Sequence, residues 1–579
     1  MKYIKSILIL LITLSLSSCE YSRIKIDYSP VNHLTDSIFV EKQYKYKPKF
    51  SKFDKLGRQY YFIKIWGFLK YNAVVKEYTD WDKIFLKYYS KIENQNKQDF
   101  NKSILDLINN VEIPTEKNKK NNAKNYALID NTWFYDSLYI DNKISNKLEY
   151  IFSNYSDTLN KFIENNSIGN LEFHEEYYND NYYPNKNVRM LGLARYWNII
   201  NYFYIYKNYT DKKWDDILIE SIAEFKNSKN EIEYHKSVQK LSSCLNDCHS
   251  MVRSKILDKK IFGRFVPNFR VKMINDTFII TKFRVNEYSD YGLKIGDIIL
   301  EIDSINIKNR YDSLNKLLKG ANKLSEQRII NPYLFSFKKD KVKIKYLRNN
   351  NIYTQVIQLK DYSYFAKLES ENVEKYENKT IKKEIADDII YINMDYIFDE
   401  NFDNNFNNID KYKNLIIDLR CYPREKVFFS LTNFLLSEGK DFFIASYSDI
   451  TNPGTIRLHK GYKIGKKEGK QYEGNVFILV NEHTQSMAEF LVMALQTSKN
   501  VTVIGSRTAG SDGNITKFHF PGKIRTVFSG IGVYYPDTTQ TQRKGIKLDF
   551  EVNQTISGIQ SNKDEILDFA INLIKNKHN

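Results

Sequence analysis

Four short apolar runs in the C-terminal part of this chain leave it few ways to fold. They are Ile389-Ile390-Tyr391-Ile392, Leu415-Ile416-Ile417, Val476-Phe477-Ile478-Leu479-Val480 and Val501-Thr502-Val503-Ile504. Each is too short for a core helix. None alternates apolar with polar, as a strand with one wet face would. They are expected to be strands covered on both faces, with helical stretches between them. Strands that alternate with helices build an α/β core, here spanning residues 375–579.

The pattern differs upstream. Between 263 and 360 the chain is β-rich, with strand signals at Phe278-Ile279-Ile280 and Lys341-Val342-Lys343-Ile344-Lys345-Tyr346. Residues 56–260 read as mainly helical and contain a repeat. Ile63 to Tyr71, followed by Tyr78-Thr79-Asp80-Trp81-Asp82, matches Ala194 to Tyr202, followed by Tyr209-Thr210-Asp211 and Trp214-Asp215. Lys212-Lys213 is an insertion in the second copy. Each copy predicts two helices, the second opening at Trp-Asp with Asp80 or Asp211 as its cap. The tryptophans read as core. Residues 99–127, rich in Asn and Lys, read as a surface excursion.

The first residues point to export. Lys2 and Lys5 precede an apolar stretch, Ser6 to Ser15, too short to span a bilayer. Leu16-Ser17-Ser18-Cys19 then has the form of a lipoprotein cleavage site. Residues 1–18 are therefore expected to be a signal peptide and 19–55 a tether. Acyl chains on Cys19 would anchor the protein to a membrane of a bacterial cell envelope, periplasmic or surface-facing. The net charge of +17 is spread among acids and asparagines rather than gathered in a stripe, so no nucleic-acid partner is expected. Past Cys19 only Cys244, Cys248 and Cys421 remain, which makes no disulfide framework. No metal cluster and no phosphate-binding glycine loop is present in the sequence, so no cofactor is expected.

The chemistry centres on Asn481-Glu482-His483-Thr484-Gln485-Ser486-Met487-Ala488-Glu489. A buried strand ends at Val480 and an amphipathic helix follows. A serine at such a turn can present its hydroxyl beside the helix N-terminus, whose free N–H groups can hold an oxyanion. The same pattern also fits a plain helix cap.

Further motifs follow in order. Val503-Ile504-Gly505 and Thr508-Ala509-Gly510 come after the helix, and Leu415 to Arg420 before it. Gly292-Leu293-Lys294-Ile295-Gly296-Asp297 opens an apolar run, and Gly545-Ile546-Lys547-Leu548-Asp549 lies near the end. Together they resemble the carboxyl-terminal-processing and tricorn-type serine peptidases, over residues 235–575. The resemblance implies a crotonase-like α/β peptidase core, a PDZ-like domain at 263–360 and the helical region before it. It implies hydrolysis of peptide bonds in unfolded or tail-exposed polypeptides, with Ser486 as nucleophile. The PDZ-like unit would recruit substrate by strand addition or serve as a rigid spacer.

In the processing branch a lysine follows Thr-x-Gly, where this chain has Ser511. The tricorn-type branch uses a histidine, and Leu245-Asn246-Asp247-Cys248-His249-Ser250 resembles its Asp-Gly-His-Thr segment. His249 is thus the expected base, with His483 as the alternative. Gln542 stands where the tricorn-type acid lies and could hold an imidazole N–H, and Glu489 could join the polar network. Met487 and Tyr422 are the expected oxyanion donors, since Pro423 has no N–H. The missing lysine and acid and the altered turn after Arg420 leave a second reading open, a catalytically silent peptide-binding or scaffolding lipoprotein.

Overall fold

The computed structural model describes residues 49–113, 126–127, 129–154, 160–285, 291–371, 381–424, 426–437, 439–466 and 471–576. Cys19 and the expected leader and tether up to residue 48 lie outside them.

The repeat folds as two helix pairs, α1 (Lys55–Asn72) with α2 (Trp81–Ile92), and α3 (Lys186–Phe203) with α4 (Trp214–Asn227). In α1 and α3 nearly every residue is buried, so they read apolar all round rather than as one stripe. Each pair is closed by two indoles that bond reciprocally. Trp66 donates to the Trp81 carbonyl at 3.1 Å and Trp81 to that of Trp66 at 3.3 Å. Trp197 and Trp214 do the same at 2.9 Å each way. The copies also exchange charges. Lys64 of the first reaches Asp215 of the second at 2.9 Å, and Arg195 of the second pairs with Asp82 of the first. These residues occupy matching positions, so the two pairs pack about a local pseudo-twofold. At its centre α1 and α3 come so close that a Cβ on Gly67 would lie 1.9 Å from the Asn198 side chain.

Two expectations are corrected here. Asp80 caps α2 by accepting the Lys83 N–H at 3.0 Å, but Asp211 caps nothing. The inserted lysines put Lys213 at the N-cap of α4, and Asp211 instead pairs with Arg543 at 2.7 Å. Within the expected surface excursion, Lys97–Ile108 is a helix that buries Phe100, Ile104, Leu107 and Ile108. A further helix, α5 (Glu231–Ser243), leads into the Leu245–Ser250 loop.

The β-rich segment forms a six-stranded antiparallel sheet. Its strands β1 (Phe269–Ile274), β2 (Thr277–Phe283), β3 (Ile298–Ile302), β4 (Lys341–Arg348) and β5 (Asn351–Gln358) run in the order β5-β4-β3-β2-β1, with Ile305–Asn306 beside β3. Helix α6 (Lys323–Leu334) lies along the edge strand, where Asn331 donates its amide to the Val271 carbonyl at 3.2 Å.

The last part is an α/β sheet of six strands in the order β6 (Lys382–Ala386), β7 (Ile389–Asn393), β8 (Asn414–Asp418), β9 (Asn475–Val480), β10 (Val501–Gly505) and β11 (Phe550–Glu551). All neighbours are parallel except β6 and β7. Successive residues of each strand face opposite cores. Ile390, Ile392, Leu415, Ile417, Val476 and Ile478 pack under the helices α7 (Val427–Leu435) and α8 (Met487–Leu495). Ile389, Ile416, Phe477, Leu479 and Ile504 face the C-terminal helix α9 (Glu565–Asn576). This two-sided burial is why the runs do not alternate, and it stabilises each buried Ile or Leu by ~1.5–3 kcal/mol. The carboxyl ends of β8, β9 and β10 share one edge, where α/β sheets carry their ligands. A hairpin, β12 (Ile515–Phe520) and β13 (Ile524–Ser529), pairs with Val252–Arg253 and so draws the loop after α5 to that edge.

Candidate active site

Ser486 sits between β9 and α8 with φ 55° and ψ −117°. That backbone region suits glycine, and a side chain there costs ~1–3 kcal/mol. Strain of this kind persists only where the surroundings fix it. Here the Ser486 N–H donates to the Ser511 carbonyl at 3.1 Å and to Glu489 at 3.2 Å. Thr484 donates its hydroxyl to the Leu419 carbonyl at 2.7 Å, and its own carbonyl accepts the Ala509 N–H at 3.0 Å. The turns after β8, β9 and β10 are thus stitched together.

Glu489 is the hub of that stitching. Fully buried, it accepts from Thr508 Oγ1 at 2.5 Å, from the Gly510 N–H at 2.8 Å and from the Ser511 N–H at 3.0 Å, besides Ser486. Burial raises its pKa, and the donors work against that rise. It braces the nucleophile turn against the following loop, and its bonds go to that loop rather than to His249.

His249 arrives from the loop after α5 and is buried. Its Nδ1 lies 2.8 Å from Ser529 Oγ and 3.3 Å from Ser511 Oγ. Ser511 therefore touches both expected partners, through its carbonyl to Ser486 and through its hydroxyl to His249. Desolvation lowers the His249 pKa, Asp247 opposes the shift and Arg328 adds to it. The neighbouring Cys248 is buried, accepts the Ala321 N–H at 3.3 Å and donates to the Ala509 carbonyl at 3.5 Å. Burial pushes its thiol up to about 11, which fits a packing role. Asn322 fastens the same loop through the Thr508 carbonyl at 2.8 Å.

The antiparallel sheet and α6 also reach the nucleophile turn. Lys272 of β1 pairs with Glu482 at 2.9 Å, and Arg328 of α6 hydrogen-bonds Gln485. His483 is exposed, and its ring makes no hydrogen bond among the described residues. Gln542 is buried close by, since the next residue, Arg543, donates its N–H to the Gly510 carbonyl at 2.8 Å. Neither end of the Gln542 amide has a hydrogen-bond partner among the described residues. It does not hold the imidazole, because Nδ1 is already taken by two hydroxyls. Met487 opens α8, where a first-turn N–H has no carbonyl within the helix. Tyr422 lies three residues past Leu419 and is 59% exposed. No group able to hold a metal ion occurs among the described residues.

Sequence reasoning passed over Asp247 and Ser529. Asp247 stood in the quoted segment, two residues before His249. Ser529 is an ordinary strand residue far along the chain, and nothing local marked it.

Residues 388–552 match the model of Peptidase family S41. No curated protein matches the chain. Among solved structures, mature CPAF complexed with lactacystin superposes with a TM-score of 0.53 at 12% identity, over 67% of this chain and 98% of that one. Mature CPAF alone gives 0.51 at 13% identity, over 65% and 94%. The photosystem II D1 C-terminal processing protease gives 0.39 at 13% identity, over 63% and 93%. At these identities the two CPAF structures establish likeness of fold, and the matched family supports a serine peptidase.

Proposed function

We propose that this protein is an envelope-anchored serine endopeptidase that cuts unfolded or tail-exposed polypeptides, with a crotonase-like core and a PDZ-like recruiting domain. The observation that carries the reading is Ser511, bonded at once to the strained Ser486 and to His249. Ser486 Oγ attacks the scissile carbonyl while His249 Nε2 takes its proton. The Met487 and Tyr422 N–H groups receive the oxyanion. His249 then gives the proton to the leaving amine, and water releases the acyl group by the same steps in reverse order. Support for recruitment comes from β1, an edge strand with no further strand beside it among the described residues, which lies beside α6 and is tied to the nucleophile turn through Lys272. Support for the anchor is the Leu16–Cys19 sequence alone.

A fluorophosphonate probe tests the nucleophile. The adduct should map by mass spectrometry to the peptide holding Ser486 and vanish in Ser486→Ala. Labelling that persists in that variant would refute the assignment. Palmitate labelling in cells tests the anchor, which is wrong if Cys19→Ala still takes up label.

A further inference from the structure

We propose that the acid of this site is Asp247 and that it acts on His249 through two serine hydroxyls, Ser511 and Ser529, rather than by contact. The proposal deepens the serine-peptidase reading and rests on it. Asp247 Oδ1 stands 3.9 Å from His249 Nδ1, too far for a hydrogen bond. Both serines fill the gap. Ser511 Oγ donates to Asp247 Oδ1 at 2.7 Å and Ser529 Oγ at 3.1 Å. The same two oxygens lie 3.3 and 2.8 Å from Nδ1.

The direction of these bonds follows from what each group can do. A carboxylate only accepts and draws hydroxyl protons, so the relay places both serine protons on Asp247. Each serine oxygen then has only lone pairs left to offer the imidazole. With the protons so placed, Nδ1 carries the ring proton, and Nε2 is left bare as the basic nitrogen. When Nε2 takes the proton of Ser486, Nδ1 keeps its own, and the imidazolium faces two hydroxyl oxygens polarised by the carboxylate. No proton passes along the relay.

Asp247 is itself fixed. Its Oδ1 accepts the His249 N–H at 3.0 Å, and its Oδ2 accepts the Ser529 N–H at 2.8 Å and the Tyr204 hydroxyl at 3.4 Å. The three elements that meet here are the loop after α5, the loop after β10 and the end of β13. Asp247, Ser511 and Ser529 are positioning residues, since each acts through His249. Ser511, at the place of the processing-branch lysine, thereby gains a role that needs no charge of its own.

The test reads the tautomer directly. Full-length protein labelled with 15N-histidine is examined by solid-state NMR at pH 7.5, and His249 is assigned by difference with His249→Gln. The parent should show a protonated Nδ1 and a bare Nε2, and this needs neither a variant nor turnover. In Ser511→Ala/Ser529→Ala the ring should shift toward the Nε2–H form. On turnover, Ser529→Ala should lower kcat about 10-fold with little change in KM, and Ser529→Thr should restore most of it. The double variant should lose about 100- to 1000-fold, within the ~10⁴-fold known when an acid that fixes the tautomer is neutralised. A parent ring protonated at Nε2, or a double variant whose tautomer is unchanged, overturns the relay. Turnover unaffected by Ser486→Ala would instead overturn the peptidase reading and leave the tautomer result standing.

Discussion

Replacing Ser486 by glycine and by alanine separates the backbone of the nucleophile turn from its hydroxyl. Both variants lack Oγ, so whatever the hydroxyl contributes cancels between them. They differ in the Cβ, which alanine must hold at φ 55° and ψ −117°. Relief of that conformation is worth ~1–3 kcal/mol. Glycine returns ~0.5–1 kcal/mol through its freer unfolded chain. The balance makes Ser486→Gly the more stable of the two by up to roughly 2.5 kcal/mol, about 1 kcal/mol at the middle of both ranges. Urea unfolding followed by near-ultraviolet circular dichroism measures the difference as a shift in midpoint at constant slope. An alanine variant more stable than the glycine variant would show that the turn is relaxed and that the strain argument for Ser486 is wrong.

Two further outcomes follow from the same geometry. Glu489→Gln keeps the shape of the side chain but turns an NH2 toward donors, because Oε1 now meets Thr508 and Gly510 while Oε2 meets Ser511 and Ser486. Two buried donors lose their acceptor at about 1–3 kcal/mol each, so a stability loss of roughly 2–6 kcal/mol is expected by chemical denaturation, and one under about 0.5 kcal/mol would remove Glu489 as the brace. His249 works as a base only when neutral, and burial lowers its pKa, so the acid limb of kcat/KM should lie below the ordinary imidazole value of about 6.5. The same depressed pKa means that its share of stability is full above that value and is lost as pH falls, because the unfolded chain takes the proton first. An acid limb at or above that value would contradict the buried, desolvated imidazole.

The α/β core was readable because its strands are buried on both faces, which leaves unbroken apolar runs such as Val476–Val480. The helix pairs were readable from the repeated Trp-Asp junctions. The start of α4 at Trp214 was read correctly, but its cap was not, because two inserted lysines move Asp211 away from the helix end and put Lys213 there. The Lys97–Ile108 helix was hidden by its Asn and Lys residues, although its apolar positions keep helical spacing on one face. Ser486 and His249 had ordered motifs around them. Ser529, which stands nearest to His249 Nδ1, had none, because its place there depends on distance in space rather than in sequence. Gln542 fits by order along the chain, yet the imidazole nitrogen is met by Ser529, carried in by the pairing of β13 with Val252–Arg253. A serine on a strand carries no local mark, and only the folded hairpin gives it a partner.

The most direct test of the central claim is hydrolysis of an unfolded protein by the full-length chain in detergent, beside Ser486→Ala and His249→Ala. The account predicts cleavage by the parent and loss of it in both variants, with all three folded by circular dichroism. Equal cleavage by all three, or none by a folded parent across a panel of unfolded substrates, would contradict it and favour a silent peptide-binding scaffold.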